Sequence, residues 1–72
     1  MHFRDLVKSV KSRRESLSVT QAGLAELSGV GLRTLKQFES GKGNPTILTF
    51  QKLGDALGLE ITISPKRQGG NE

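Results

Sequence analysis

The sequence predicts an all-α domain of four to five helices, followed by one short C-terminal β-strand. Apolar residues recur at helical spacing in four segments before residue 58, and only residues 59–63 alternate apolar and polar side chains as a strand does. At 72 residues the chain is one small domain, and such a domain buries only roughly 60% of the surface of its unfolded chain. Since there is no cysteine for disulfides, we expect oligomerisation to add stability.

The first predicted helix runs from about residue 3 to residue 16. Its apolar residues recur every three or four positions and share one face, whereas its basic residues fall on other faces. This apolar face, which we expect to pack across the next two helices, consists of Phe3, Leu6, Val7 and Val10.

Residues 20–28 and 31–39 predict two short helices joined by a tight turn. Thr20 is a good N-cap for the first of them. Gly29 follows the last residues of that helix, where a left-handed backbone is cheap only for glycine. The second helix starts near Gly31 without a capping side chain.

The small and apolar residues of these two helices keep a fixed register. Leu24 supplies a contact between the helices, and small or apolar residues follow at positions five, nine, ten, fifteen and eighteen counted from Gln21. This is the register of a helix-turn-helix, in which a small residue lets the helices approach and the second helix enters the major groove of DNA. The five residues are Ala25, Gly29, Val30, Leu35 and Phe38.

A loop at residues 40–45 separates these helices from a fourth at residues 46–57. Thr46 is its predicted N-cap, and Gly58 ends it. Its core stripe is predicted to contain Ile47, Phe50, Leu53 and Leu57, with Leu48 as a further candidate.

Residues 59–64 are predicted to form a dimerisation strand. A lone strand cannot satisfy its own backbone hydrogen bonds, so we expect an antiparallel ribbon with a second copy across a two-fold axis, with Leu59, Ile61 and Ile63 facing the helices. An extended tail packed on its own domain is the alternative. Residues 65–72 lack apolar side chains and are predicted to be disordered, which leaves residues 1–58 as the helix-turn-helix domain.

Charge and composition narrow the possible functions. The net charge is +4, with seven of the eleven Lys and Arg residues before Gln37, which indicates a nucleic-acid partner when joined to the motif, although a solvated basic surface is the simpler interpretation of charge alone. We expect no metal, cofactor or catalytic site, because there is no cysteine and His2 is the only histidine. With no apolar run long enough for a bilayer and no signal-peptide core, a cytoplasmic location is expected.

Three segments carry a resemblance to a known family. TQAGLA, SGVGLRTLKQFESGKGNPT and LTFQKLGDALGL resemble the Xre family of lambda-repressor and Cro-like helix-turn-helix domains over residues 5–58. The segment LEITISPKR is similar to the end of HipB-type antitoxins, where a short strand follows the helices. The resemblance implies a lambda-repressor-like DNA-binding fold.

The exposed face of the third helix is the predicted base-reading surface. Arg33 can make a bidentate contact with guanine, and Gln37 can do the same with adenine. Thr34 can touch a thymine methyl group or a phosphate, and Leu32 offers an apolar contact. The resemblance implies that positions 32, 33 and 37 are the main base readers, whereas simple solvation of an exposed Arg or Gln is the alternative.

Phosphate contacts are predicted at three places. The N-terminus of the second helix attracts anions through its amides and dipole, the loop after the third helix can close on the DNA backbone, and the first helix can reach it. The candidates are Thr20, Gln21, Lys36, Lys42, Gly43, Asn44 and Arg13.

Glu39 needs a partner, because an acid at a helix C-terminus near DNA is disfavoured by the dipole and by phosphates. In the family that the chain resembles, the matching glutamate pairs with an arginine of the first helix, and the matching residue is Arg14. We interpret this pair as structural.

The leading hypothesis is a homodimeric repressor on a pseudo-palindromic operator. The likeness to HipB-type chains further implies an antitoxin that represses its own operon and binds a HipA-like kinase toxin. Two other hypotheses stay open: a protein-interaction module that docks a partner through residues 59–63 or 46–57, and a phage-type regulator without a toxin.

Overall fold

The computed structural model describes residues 3–60 and, for Phe3, the backbone alone. Its elements are α1 Phe3–Ser16, α2 Gln21–Ser28, α3 Leu32–Glu39 and α4 Ile47–Ala56. The all-α class is therefore confirmed, and these residues include four helices and no strand. The predicted tail at residues 65–72 and the two isoleucines of the predicted strand lie outside the described residues.

The four helices share one apolar core. α2 packs against both α3 and α4, while α1 packs against α3. The rings of Phe38 and Phe50 meet edge to face, with centroids 5.0 Å apart and planes at 74°, and this contact joins α3 to α4. The buried apolar residues are Val7, Val10, Leu24, Val30, Leu35, Phe38, Phe50, Leu53 and Leu57.

The turn between α2 and α3 has the predicted local structure. Thr20 caps α2, since its hydroxyl oxygen accepts a 2.9 Å hydrogen bond from the backbone N–H of Gly23. Gly29 ends α2 with φ +78°, a left-handed conformation. Val30 then returns to the core. The turn thus places α3 against α2 with its outer face free for another molecule.

The start of α4 differs from the prediction. Thr46 caps the helix as expected, accepting from the N–H of Thr49. Ile47, however, is 53% exposed and Leu48 is 58% exposed. The prediction that Ile47 belongs to the core is wrong, because burial of this helix face begins only at Phe50.

α4 ends in a Schellman turn at the point where the strand was predicted to begin. The backbone N–H of Leu59 donates to the carbonyl of Gly54 at 2.7 Å, and that of Gly58 donates to Asp55 at 3.3 Å. Leu59 is half-buried against the core of its own chain, as the ribbon and the packed-tail hypotheses both require. Leu59 and Glu60 have no regular secondary structure.

Candidate DNA-binding site

α3 turns its apolar residues inward and its polar residues outward. Leu35 and Phe38 are 0% and 1% exposed. Gly31, the N-cap residue of α3, offers no side-chain hydrogen bond. The outer face of α3 carries the residues predicted to contact DNA from this helix, all of them exposed: Leu32, Arg33, Thr34, Lys36 and Gln37.

A shallow cavity of about 210 Å³ opens beside α3, between its outer face, the following loop and the start of α4. We call it the α3 pocket. It brings together five predicted DNA contacts, Thr34, Gln37, Lys42, Gly43 and Asn44. Leu32, Arg33 and Lys36 lie on α3 outside it.

Three further polar or loop residues line the α3 pocket without having been predicted as contacts. These are Pro45, Thr46 and Thr49. The sequence marked Thr46 only as a helix cap, and its hydroxyl lies 3.3 Å from that of Thr49. A cap at the start of α4 could have indicated this site, because a helix N-terminus favours anions.

The loop after α3 is held by its own backbone. The N–H of Gly41 donates to Phe38 at 3.1 Å and that of Lys42 donates to Gln37 at 2.9 Å, which together form a Schellman turn. Gly43 then lies against the side chain of Gln37, since a Cβ built on it would come 3.7 Å from the Gln37 Oε1. The backbone bond between Lys42 and Gln37 therefore keeps these two residues next to each other.

A buried ion pair joins α1 to the end of α3. Arg14 Nε lies 2.7 Å from Glu39 Oε2, and Arg14 Nη2 lies 2.9 Å from Glu39 Oε1, which makes a bidentate contact. Arg14 Nη1 also donates to the carbonyl of Val19 at 2.7 Å. The hydrogen bond to Glu39, assisted by the charges of Glu39 and Glu15, raises the pKa of Arg14 despite its burial. The arginine therefore stays charged and bridges α1, the following turn and α3.

Gln21 belongs to the same network. Its side-chain Nε2 donates to Glu39 Oε1 at 3.0 Å, which connects the first residue of α2 to the last residue of α3. An amide nitrogen carries two hydrogens, so one remains for another acceptor such as a phosphate. Sequence reasoning missed this bond, because no local pattern relates two residues that are 18 positions apart.

Arg13, a predicted phosphate contact on α1, makes a hydrogen bond to the end of α4. Its Nε donates to the carbonyl of Leu57 at 2.9 Å, and it is absent from the lining of the α3 pocket. This hydrogen bond joins α1 to the C-terminal end of α4, and the phosphate contact of the exposed Arg13 side chain stays a prediction. Carbonyls at a helix C-terminus lack partners within the helix, which explains why they attract a guanidinium group.

Within the described residues, no group of three or more His, Asp or Glu side chains is placed to hold a metal ion. In the same part of the chain, no helix is long and apolar enough to cross a membrane.

The fold and the exposed face of α3 define a helix-turn-helix domain. Residues 10–63 match the family model described as Helix-turn-helix. The chain belongs to this Xre-like family of helix-turn-helix transcription regulators.

The chain is similar to three curated proteins. The chain is 38% identical to the cryptic phage CTXphi transcriptional repressor RstR of Vibrio cholerae, over 69% of this chain and 45% of the relative. It is 36% identical to an uncharacterized HTH-type transcriptional regulator of Haemophilus influenzae, over 86% of this chain and 63% of that relative. It is 30% identical to the antitoxin HipB of Escherichia coli, over 93% of this chain and 76% of that relative. The chain thus spans less than two thirds of the length of the first two relatives.

Proposed function

We propose that this protein is a sequence-specific DNA-binding repressor that inserts α3 into the major groove. The observation that carries the proposal is the outer face of α3, where exposed polar side chains stand beside a pocket that contains Lys42. Arg33 is suited to guanine and Gln37 to adenine, while Thr34 and Leu32 can contact a thymine methyl group.

Phosphate binding is assigned to groups on both sides of this face. The Schellman turn holds Lys42 at the end of α3, and Gly43 and Asn44 follow it in the lining of the α3 pocket. Thr20 and Gln21 stand at the N-terminus of α2, where amides and the helix dipole favour anions. Because Glu39 connects Gln21 to the end of α3, these two anchoring regions belong to one connected unit. Lys36 adds a charge on the rim of α3.

We further propose that the repressor acts as a homodimer through residues 59–64. Two copies related by a two-fold axis would present two α3 helices to half-sites about one helical turn apart. This geometry calls for a pseudo-palindromic operator.

A binding titration separates base reading from phosphate anchoring. On a duplex selected by the protein from a random library, Arg33→Ala should weaken binding by about 1 to 3 kcal/mol per half-site and relax one base position in each, while leaving binding to random DNA nearly unchanged. Lys42→Ala should weaken binding to both selected and random DNA and lower the salt slope by about one unit per bound subunit. Lys52→Ala, an exposed lysine of α4 outside the α3 pocket, is the control and should change neither. Equal losses on selected and random DNA for Arg33→Ala would reject the proposed role of α3.

The finer proposal is an antitoxin role. The match to HipB covers nearly the whole chain, which supports an antitoxin that represses its own operon and neutralises a HipA-like kinase toxin. Co-expression with a kinase-like reading frame adjacent to its gene should yield a stable complex and relieve toxicity. If the adjacent reading frames encode no such kinase, the match to a phage repressor favours a regulator without a toxin.

A partner-docking module is the second candidate function. It is favoured by the exposure of Ile47 and Leu48 on neighbouring positions of α4. On that hypothesis, the double substitution of these two residues by Ser would abolish partner binding and leave DNA affinity unchanged. If a substitution of Arg33 removes DNA binding and leaves partner binding unchanged, the result would favour the repressor.

A further inference from the structure

A second concave surface lies on the other side of the loop that follows α3. It is a groove of about 880 Å³ between α1 and the end of α3. Arg4, Lys8 and Lys11 line it from α1, where spacings of four and three residues place them on one helix face. We call this surface the basic groove. None of its three cations was among the residues predicted to contact DNA.

The charge of the basic groove is strongly positive. Its lining includes two acids, Asp5 and Glu39. The side chain of Glu39 is only 2% exposed and is neutralised by Arg14 at 2.7 Å. Three exposed cations therefore face a single exposed carboxylate, that of Asp5.

The position of the basic groove relates it to the proposed DNA interface. Ser40 and Gly41 line the groove, and the next residue, Lys42, lines the α3 pocket. The backbone N–H groups of these three residues are already bonded within the turn, to Lys36, Phe38 and Gln37. An anion that lies in the groove must therefore be held by the side chains of α1 and not by loop amides.

We propose that the basic groove binds the phosphate backbone of DNA beyond the bases contacted by α3, and so extends the footprint of each half-site. This inference rests on the proposed function. A phosphodiester strand that leaves the α3 pocket past Lys42 next meets the loop at Ser40 and Gly41, and then the cations of α1. The contact is independent of sequence, since it involves charge and not base edges.

The test compares two duplexes: one trimmed to the site selected by the protein, and one extended by about ten base pairs on each side, one helical turn. For wild-type protein, the slope of log affinity against log salt concentration should be steeper on the extended duplex than on the trimmed one. Lys8→Ala and Lys11→Ala should each lower that slope by about one unit per bound subunit, which is about two units for the dimer, and their combination by about four, with no change on the trimmed duplex. Lys52→Ala is the charge-matched control and should leave both slopes unchanged. Because Lys8 and Lys11 are exposed, the thermal midpoints should match that of the wild type.

Two results would overturn the inference. One affects the basic groove proposal alone, and the other also affects the proposed function. If wild-type protein selects a site and depends on Arg33, but the double variant keeps the wild-type slope on both duplexes, only the basic groove proposal fails; an acidic protein surface would then become its candidate partner. If wild-type protein selects no site from the random library, the proposed function fails, and the basic groove proposal fails together with it.

Discussion

At the scale of single residues, the Arg14–Glu39 pair is the main point where charge is buried. Burying two charges is costly unless they are paired with good geometry, and here the contact is bidentate and extended by Gln21 and by the carbonyl of Val19. The pair therefore fixes α1, the α1–α2 turn and α3 relative to one another.

Replacing Glu39 should be strongly destabilising. In Glu39→Gln an amide nitrogen faces donors of Arg14, and the arginine keeps its charge without a buried partner. We expect a loss of about 3 to 5 kcal/mol in the free energy of unfolding, measured by urea denaturation. Glu26→Gln, a change of the same type on an exposed residue of α2, should remain within about 0.5 kcal/mol of the wild type. Equal free energies of unfolding for the two variants would contradict the stabilising role of the Arg14–Glu39 pair.

Residue contacts were predictable only where local chemistry or a family likeness pointed to them. Arg14 was matched to Glu39 through resemblance, and Thr20 and Thr46 were recognisable as caps from residue type. The contact of Arg13 with Leu57 gave no such signal, because a backbone carbonyl 44 positions away has no identity in the sequence.

At the scale of elements, the turn between α2 and α3 contains two glycines whose replacement by serine should change the stability in opposite directions. Gly29 has φ +78° and Gly31 has φ −60°, and neither would bring a Cβ within 4 Å of another group. Gly29→Ser should cost about 1 to 2 kcal/mol, because a side chain disfavours the left-handed conformation. Gly31→Ser should instead stabilise by about 0.5 to 1 kcal/mol, since it supplies the missing cap of α3 and restricts the unfolded chain. Thermal unfolding of both variants checks this, and the same sign for both would contradict the assigned turn.

The positions of the four helices could be predicted because each has a repeating apolar face, and a capping threonine also marks the starts of α2 and α4. Burial at the start of α4 could not be predicted in the same way. Ile47 shares a helical face with Phe50 and Gly54, yet only the latter two are buried. Periodicity identifies a face but does not show how far along the helix a neighbour covers it.

At the scale of the whole molecule, the proposed dimer predicts that stability depends on concentration. A 72-residue chain without disulfides has a small core. If two copies pair through residues 59–64, the melting temperature should rise by several degrees over a hundredfold increase in protein concentration, because association stabilises the folded state by mass action. A variant with Ile61 and Ile63 replaced by Ser should lose that dependence. A melting temperature of the wild type that does not change with concentration would contradict the dimer.

Selection of duplexes from a random library with the purified protein shows whether α3 reads DNA sequence in a dimeric repressor. We expect an enriched site with two-fold symmetry and half-sites about one helical turn apart, and we expect Arg33→Ala to lose preference at one position of each half-site. A library that emerges without an enriched site would contradict the claim and would favour a protein that docks a partner through α4.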